Sequence, residues 1–333
     1  MSVAAVLSAT ELPWLQQPMA RVRAALAGER APHSLLVTGQ PGAGLKLFAD
    51  WLITLRHCSD AAHAPCGVCK SCVWNAQGNH PDHYLLTPVE DSREIRIDQV
   101  RELLNQLAMT GHGGRQRTAL VFPAERLNRS AANSFLKMLE EPPAGSLLVL
   151  ATSSPSRLPA TIRSRCLKID LPLPAPADSA LWLSERCGGK PESWQRVLSI
   201  AGNGPTTVCE AELATALQQA GELETDAIAL AAGEREPLLL ARQWDDDRYD
   251  SRLVGLENLI TKYLQQGAGT SRPHLLSAAD MPKLRAMFEV LDRVRDDRLL
   301  AETPVNRRHG LTVLLTAAQA ALRAAGVAPG GDR

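Results

Sequence analysis

At 333 residues, 45% of them hydrophobic and 22% charged, the chain has the composition of a globular protein and the length for two or three domains. Lys+Arg and Asp+Glu are both 36, so the formal net charge is zero, which argues against a protein that grips DNA by its own basic excess. Aromatics at 4% leave few stacking platforms for single strands, so protein partners come first.

Met1 to Leu12 contains Glu11 and no basic stretch leading into an apolar one, unlike a secretory signal. No run reaches the roughly 18 apolar residues of a membrane span. A cytoplasmic location with no membrane contact is expected.

Residues 34–38 form a short apolar run that predicts a strand, followed by a glycine-rich turn and an apolar-periodic helix over 47–55. Ile97 and Asp98 open a second helix with Val100, Leu103, Leu104 and Leu107 on one face and Asp98 as its expected N-cap. Residues 118–122 and 147–151 read as buried parallel strands. Between them, Asn128 or Ser130 can cap a helix carrying Ala132, Phe135, Leu136 and Leu139, which Pro142 and Pro143 stop. Strands and helices alternating at this spacing predict a parallel sheet covered by helices on both faces.

The proline-rich stretch 171–176 marks a linker, after which the pattern is helical throughout. Short helices over 179–186 and 192–201 are expected to end at Gly188 and at Gly202-Asn203-Gly204. Three longer stripes follow: Leu253, Leu256, Ile260, Tyr263 and Leu264; Leu284, Met287, Phe288, Leu291 and Val294; Leu311, Leu314, Leu315, Ala318 and Leu322. Each has the periodicity of a core-facing helix in one all-α domain. The tail from Gly326 is expected to fray.

Four of the seven cysteines, Cys58, Cys66, Cys69 and Cys72, fall within fifteen residues with the spacing C-x7-C-x2-C-x2-C. In a reducing compartment such clustering reads as metal binding. Four sulfur ligands favour tetrahedral Zn²⁺ in a closed structural site, one per chain, with no position for a reactive water. An iron–sulfur run usually has three short spacings and a trailing Cys-Pro, absent here. His57 and His63 are close enough to replace a cysteine, although four sulfurs already satisfy the ion.

Gly39-Gln-Pro-Gly-Ala-Gly44 follows the first strand and opens a helix, the context of a phosphate-binding loop. That loop requires Lys directly after Gly44 and then Ser or Thr, the first for the β/γ-phosphates and the second for Mg²⁺. Leu45 and Lys46 stand there instead. One residue of displacement turns the lysine about 100° around the helix. The strand over 118–122 should end in an acidic Mg²⁺ ligand, yet Pro123 and Ala124 follow it, and Glu125 reads as a solvated helix start. No functional ATP site is expected, although loop amides could hold an anion weakly.

The order of these motifs, with Ser134 to Pro143 (SFLKMLEEPP), Ala151 to Ser154 (ATSS) and Ile162 to Cys166 (IRSRC), resembles the bacterial AAA+ clamp-loader family of DNA polymerase III, most closely its delta-prime branch. The resemblance is motif-specific from about residue 20 to 210. It implies an α/β AAA+ P-loop-type domain with a zinc-binding insertion, a small helical lid domain and an all-α C-terminal collar domain. The expected boundaries are 1–172 for the AAA+ domain (zinc module about 56–76), 173–211 for the lid and 212–333 for the collar.

Gamma/tau subunits are similar but keep an intact phosphate loop and an acidic second strand. The departures at Leu45, Lys46 and Pro123, and Thr206-Thr207 where the motor subunits carry a sensing arginine, imply a non-motor stator. A motor ATPase with an atypical loop is the alternative. The implied partners are gamma/tau and delta in a hetero-pentamer, with the sliding clamp and primed DNA reached through the assembly. The family's arginine finger maps onto Arg165 in Ser164-Arg165-Cys166, where a fixed guanidinium would serve a neighbour's ATP. Arg157, Arg163 and Lys168 read as ordinary solvated charges.

Overall fold

The computed structural model of the chain describes residues 8–28, 31–89, 92, 94–108, 117–201, 204–209, 213–246, 248–267, 289–290, 294 and 304–324. Among them no helix is long and apolar enough to cross a membrane. The chain divides into two compact units, Met1–Pro174 and Ala175–Arg333.

The first unit is built on five parallel strands: β1 (Ser34–Gly39), β2 (His83–Leu86), β3 (Arg117–Val121), β4 (Ser146–Thr152) and β5 (Leu167–Leu171), in the spatial order β2-β3-β4-β1-β5. Leu36 pairs in register with Leu150 of β4 on one side and with Lys168 of β5 on the other. The central strands β3 and β4 are buried on both faces and apolar over Ala119–Val121 and Leu147–Ala151, close to the continuous runs the sequence predicts.

Successive side chains alternate between faces. Leu36, Ala119, Val121, Leu148 and Leu150 share one face and pack with Val100, Leu103 and Leu107 of α4 (Ile97–Ala108) and with Ala132, Phe135 and Leu139 of α5 (Arg129–Glu140). Against β1, β3 and β4 also lies α2 (Leu45–His57), with Phe48, Ala49, Leu52 and Ile53 buried. α1 (Gln16–Ala27), α3 (Lys70–Ala76) and α6 (Ala160–Arg163) complete this unit's α-helices among the described residues. Truncating a fully buried ring such as Phe135 to Ala costs about 3–5 kcal/mol.

Asn128 caps α5, its Oδ1 accepting from the Ala131 N–H at 2.9 Å, while Ser130 does not cap. Asp98 is not an N-cap: it lies inside the first turn of α4, where its charge suits the helix dipole, and Gln99 accepts from the Arg96 N–H at 2.9 Å instead. β2 and β5 were not expected. Both are edge strands of mixed exposure, so neither gives an unbroken apolar run. At the carboxyl end of β1, Gly39 faces β5 so closely that a Cβ there would lie 3.1 Å from the Leu171 Cβ.

The second unit is helical in all its described elements: α7 (Pro176–Cys187), α8 (Pro191–Ala201), α9 (Pro205–Val208), α10 (Leu213–Ala232), α11 (Pro237–Trp244), α12 (Tyr249–Gly267) and α13 (Pro304–Ala324). α7 ends at Gly188, as expected. Two clusters organise the unit. Ala180, Leu183, Trp194, Val197 and Leu198 form one; Leu230, Trp244, Leu253, Leu256, Ile260 and the stripe Leu311, Leu314, Leu315, Ala318 and Leu322 belong to the other. Asp245, just past α11, accepts from Arg307 Nε at 2.6 Å and from Arg308 Nη2 at 2.9 Å, tying α11 to α13. Burial would raise this carboxyl's pKa, but the two guanidiniums outweigh it and hold it below the usual range.

Leu284, Met287, Phe288, Leu291, Gly202, Asn203 and the tail from Gly326 lie outside the described residues, as do the side chains of Tyr263 and Leu264. Val294 is described and fully buried in the larger cluster.

Candidate functional site

Cys58 follows the last turn of α2, Cys69 caps the start of α3, and Cys72 lies one turn inside α3, so two helix ends and the loop carrying Cys66 converge. The four Sγ atoms all lie within 4.8 Å of one another. Cys66 and Cys72 are 4.0 Å apart, near the separation of about 3.8 Å that two sulfurs have on one tetrahedral ion. Backbone N–H groups already point at the sulfurs, from Cys66 to Cys58 Sγ and from Cys69 to Cys66 Sγ, each at 3.4 Å.

The protonation pattern is uneven. Burial pushes Cys72 up to about 12, helped by the neighbouring Cys69 and Cys58 thiols. Burial also raises Cys69, but donors from Ser59 and Cys72 outweigh it and bring it to about 5. A divalent cation at the centre would relieve this conflict by letting all four sulfurs lose their protons. The set can therefore hold a metal ion.

Neither histidine joins it. His57 is buried with its ring stacked on His80, centroids 3.9 Å apart, and Nε2 3.4 Å from Thr118 Oγ1 on β3. His63 is exposed and pairs with Asp60 at 3.0 Å. The histidine stack joins the base of the cysteine module to the sheet. Sequence reading missed this role because its partners lie more than twenty residues away.

The glycine loop runs from β1 to α2 at the carboxyl end of the sheet, where open α/β sheets receive ligands. Gly42 and Gly44 have φ of 80° and 92°, which explains the glycines without reference to any ligand. Lys46 Nζ bonds both carboxylate oxygens of Asp50, at 2.6 and 2.7 Å, one turn along its own helix. Burial raises the Asp50 pKa, and Lys46 works against that. The Ala43 carbonyl accepts from Trp14 Nε1 at 2.8 Å, pinning the loop from outside.

Beyond β3, Pro123 and Ala124 stand where a nucleotide site would have its acidic Mg²⁺ ligand. Glu125 does stand in the first turn of a short helix, Ala124–Arg126, but not as a solvated charge. It is half-buried, Oε1 accepts from Ser153 Oγ at 2.8 Å just past β4, and Oε2 is removed from water without a bonded partner.

Arg165 lies between α6 and β5, at the amino end of the sheet; its carbonyl accepts from Ser34 Oγ, at the start of β1, at 2.8 Å. A strand's length separates that rim from the glycine loop, roughly 16 Å for β1. The guanidinium donates to the Thr161 carbonyl at 3.0 Å and pairs with Glu140 at 2.9 Å, half-exposed. Ser164 is exposed and Cys166 buried. Arg157 and Lys168 are exposed, as read, but Arg163 is half-buried with Nε shut off from water and unbonded, so it is no ordinary solvated charge.

The comparison that decides the family spans nearly the whole molecule. DNA polymerase III subunit delta' of Yersinia pestis is 30% identical over 336 residues, covering 93% of this chain and 96% of that one. The chain belongs to the delta' family of DNA polymerase III. The counterpart in Escherichia coli K12 is 28% identical over 91% of this chain and 93% of its own. That of Pseudomonas aeruginosa reaches 38%, over 59% of each chain. The family model described as DNA polymerase III, delta subunit matches residues 15–175, which takes in the sheet, the cysteine module and Arg165 of this delta' chain. Tau of Salmonella typhimurium is 35% identical over 43% of this chain.

Proposed function

We propose that this delta' chain is a non-motor stator of the bacterial clamp loader, joining gamma/tau and delta in a hetero-pentamer that places the sliding clamp on primed DNA. The AAA+ reading of the first unit rests on its parallel sheet and its family. A lid over 173–211 and a collar over 212–333 follow the family; the cluster around Trp194 reaches across to Ala216 and the larger one takes in Ile200, so the two would share a packed boundary. The four cysteines hold Zn²⁺ as a structural staple. The replication role carries the expectation of a cytoplasmic location.

One observation carries the stator reading: the chain's own loop lacks phosphate chemistry, while Arg165 stands at the opposite rim of the sheet. A guanidinium there is too far from its own loop to serve it, which supports a role at a neighbour's. Arg165 thus acts in trans, stabilising charge on the phosphoryl group transferred in an adjacent gamma/tau site.

The test is reconstitution. Purified delta' mixed with gamma/tau and delta should co-elute as one assembly that loads clamps, and omitting delta' should abolish loading. Alone it should turn over no ATP. ATP hydrolysis by the isolated chain would support the motor reading, and an assembly that loads clamps without it would remove the stator.

A further inference from the structure

Three cysteines lie outside the four-sulfur cluster: Cys166, Cys187 and Cys209. Cys166 is buried. Cys187, the last residue of α7, and Cys209, which closes α9, bring their Sγ atoms to 3.2 Å. Cys187 also points its thiol at the Cys209 carbonyl, 3.5 Å away. Both residues are partly exposed, at the edge of the Trp194 cluster. A disulfide needs its sulfurs about 2.05 Å apart, so an approach of little more than about 1 Å would form one. Each residue stands at a helix end, where such a shift disturbs no helix interior.

We propose that Cys187 and Cys209 form a reversible dithiol–disulfide pair, oxidised by a small-molecule disulfide of the glutathione class, that staples the end of α7 to the end of α9. This inference is independent of the stator reading and of the metal centre.

The exchange proceeds in two displacements. The Cys187 thiolate attacks one sulfur of the oxidant; the oxidant's S–S bond breaks, and one glutathione leaves, taking up the proton Cys187 released. Cys209 then attacks the Cys187 sulfur of the mixed disulfide, the bond to glutathione breaks, and the second glutathione leaves with the proton from Cys209. Two electrons and two protons pass from the pair, and one glutathione disulfide becomes two glutathiones.

The order follows from the surroundings. Burial, with Cys187 adding to it, pushes Cys209 up to about 12, which disfavours it as first attacker. Arg186 works against that rise, in the direction of the Cys209 thiolate that the second displacement needs.

The staple would close a loop of chain 22 residues long that contains α8. It should therefore act on the Trp194 cluster, which joins α7 and α8.

The test uses the full metal-loaded chain equilibrated in glutathione buffers of graded ratio, quenched by alkylation and mapped by mass spectrometry. The Cys187–Cys209 cross-linked peptide should exceed mixed disulfides at either residue by at least about tenfold and vanish on reduction. The oxidised chain should melt several degrees higher than the reduced one. Cys187→Ser and Cys209→Ser should each remove both effects; should either variant fold poorly, the wild-type titration decides alone. Recovery of both residues as free thiols or separate mixed disulfides under excess oxidant overturns the proposal, as does a cross-link that leaves the melting temperature unchanged.

Discussion

Nη2 of Arg165 rests 2.9 Å from Oε1 of Glu140, the last residue of α5. Both side chains are substantially exposed, so the pair holds the guanidinium in place at a cost of at most about 1 kcal/mol to whatever displaces it. A phosphate carrying more charge than one carboxylate is such a competitor. Arg165→Ala should therefore leave folding and metal content unchanged. In the reconstituted loader it should slow ATP turnover at the single site it completes by roughly 10³–10⁵. Bulk turnover then falls only in part while clamp loading falls further. Arg157→Ala, at an exposed position, is the control; Arg163 does not serve, because its half-buried guanidinium would itself perturb folding when removed. Normal loading and turnover with Arg165→Ala would reduce the residue to a surface charge.

Metal analysis should find about one zinc per chain, lost on Cys69→Ser while the serine hydroxyl still caps the start of α3. Because the sheet has its own core, chelation should loosen residues around the module, seen as faster amide exchange there, while the strands stay protected. An iron chromophore, or no metal at all, would refute the zinc assignment.

Calorimetry with Mg-ATP should show no micromolar binding to the isolated chain. Leu45→Lys combined with Lys46→Thr should not create hydrolysis, since Pro123 still stands where the acidic ligand is needed. Removing Lys46 leaves the partly buried Asp50 carboxylate without its cation and should cost on the order of 1 kcal/mol in denaturant unfolding.

Stability should depend on pH through His83, whose Nδ1 lies 2.9 Å from Thr118 Oγ1. Burial above all, then the charges of Lys46 and His80, lower its pKa to about 4. Unfolded, the ring takes its proton near 6.5. Between these values the unfolded chain binds more protons, so stability rises with pH across this window and is lost on acidification, by on the order of 3 kcal/mol at its lower end. Unfolding midpoints at pH 7.5, 6 and 5 should fall in that order, and His83→Gln should flatten the trend. An unchanged slope in the variant would assign it to other groups.

Asp245→Asn should destabilise the helical unit by about 2–3 kcal/mol, because a nearly buried carboxylate loses its charge between Arg307 and Arg308. Thermal unfolding would register this, with metal content unchanged.

What could be read from the sequence was local. The cysteine spacing, the strands β3 and β4 and the stripe from Leu311 to Leu322 each announce themselves within a few residues, through ligand reach or periodicity. β2 and β5 did not, since an edge strand such as β5 exposes Leu167, Lys168 and Asp170 and buries only Ile169 and Leu171. The pairs Glu125–Ser153, Glu140–Arg165 and Cys187–Cys209 are more than twenty residues apart and carry no pattern that would join them. Arg163 was misjudged for the same reason: charge predicts exposure, and only tertiary packing decides it.

The crowding of Gly39 against Leu171 bears on how such a loop ages. Any side chain at Gly39 would press on β5, and Gly42 and Gly44 hold backbone angles that other residues resist, so folding alone penalises their replacement. Leu45 and Lys46, the first residues of a helix, are under no such geometric restraint. Once a chain stops using nucleotide, drift should erase the lysine and the hydroxyl first and leave the glycines standing. In descendants of this loop a surviving glycine pattern records architecture, and only the two residues after it report on chemistry.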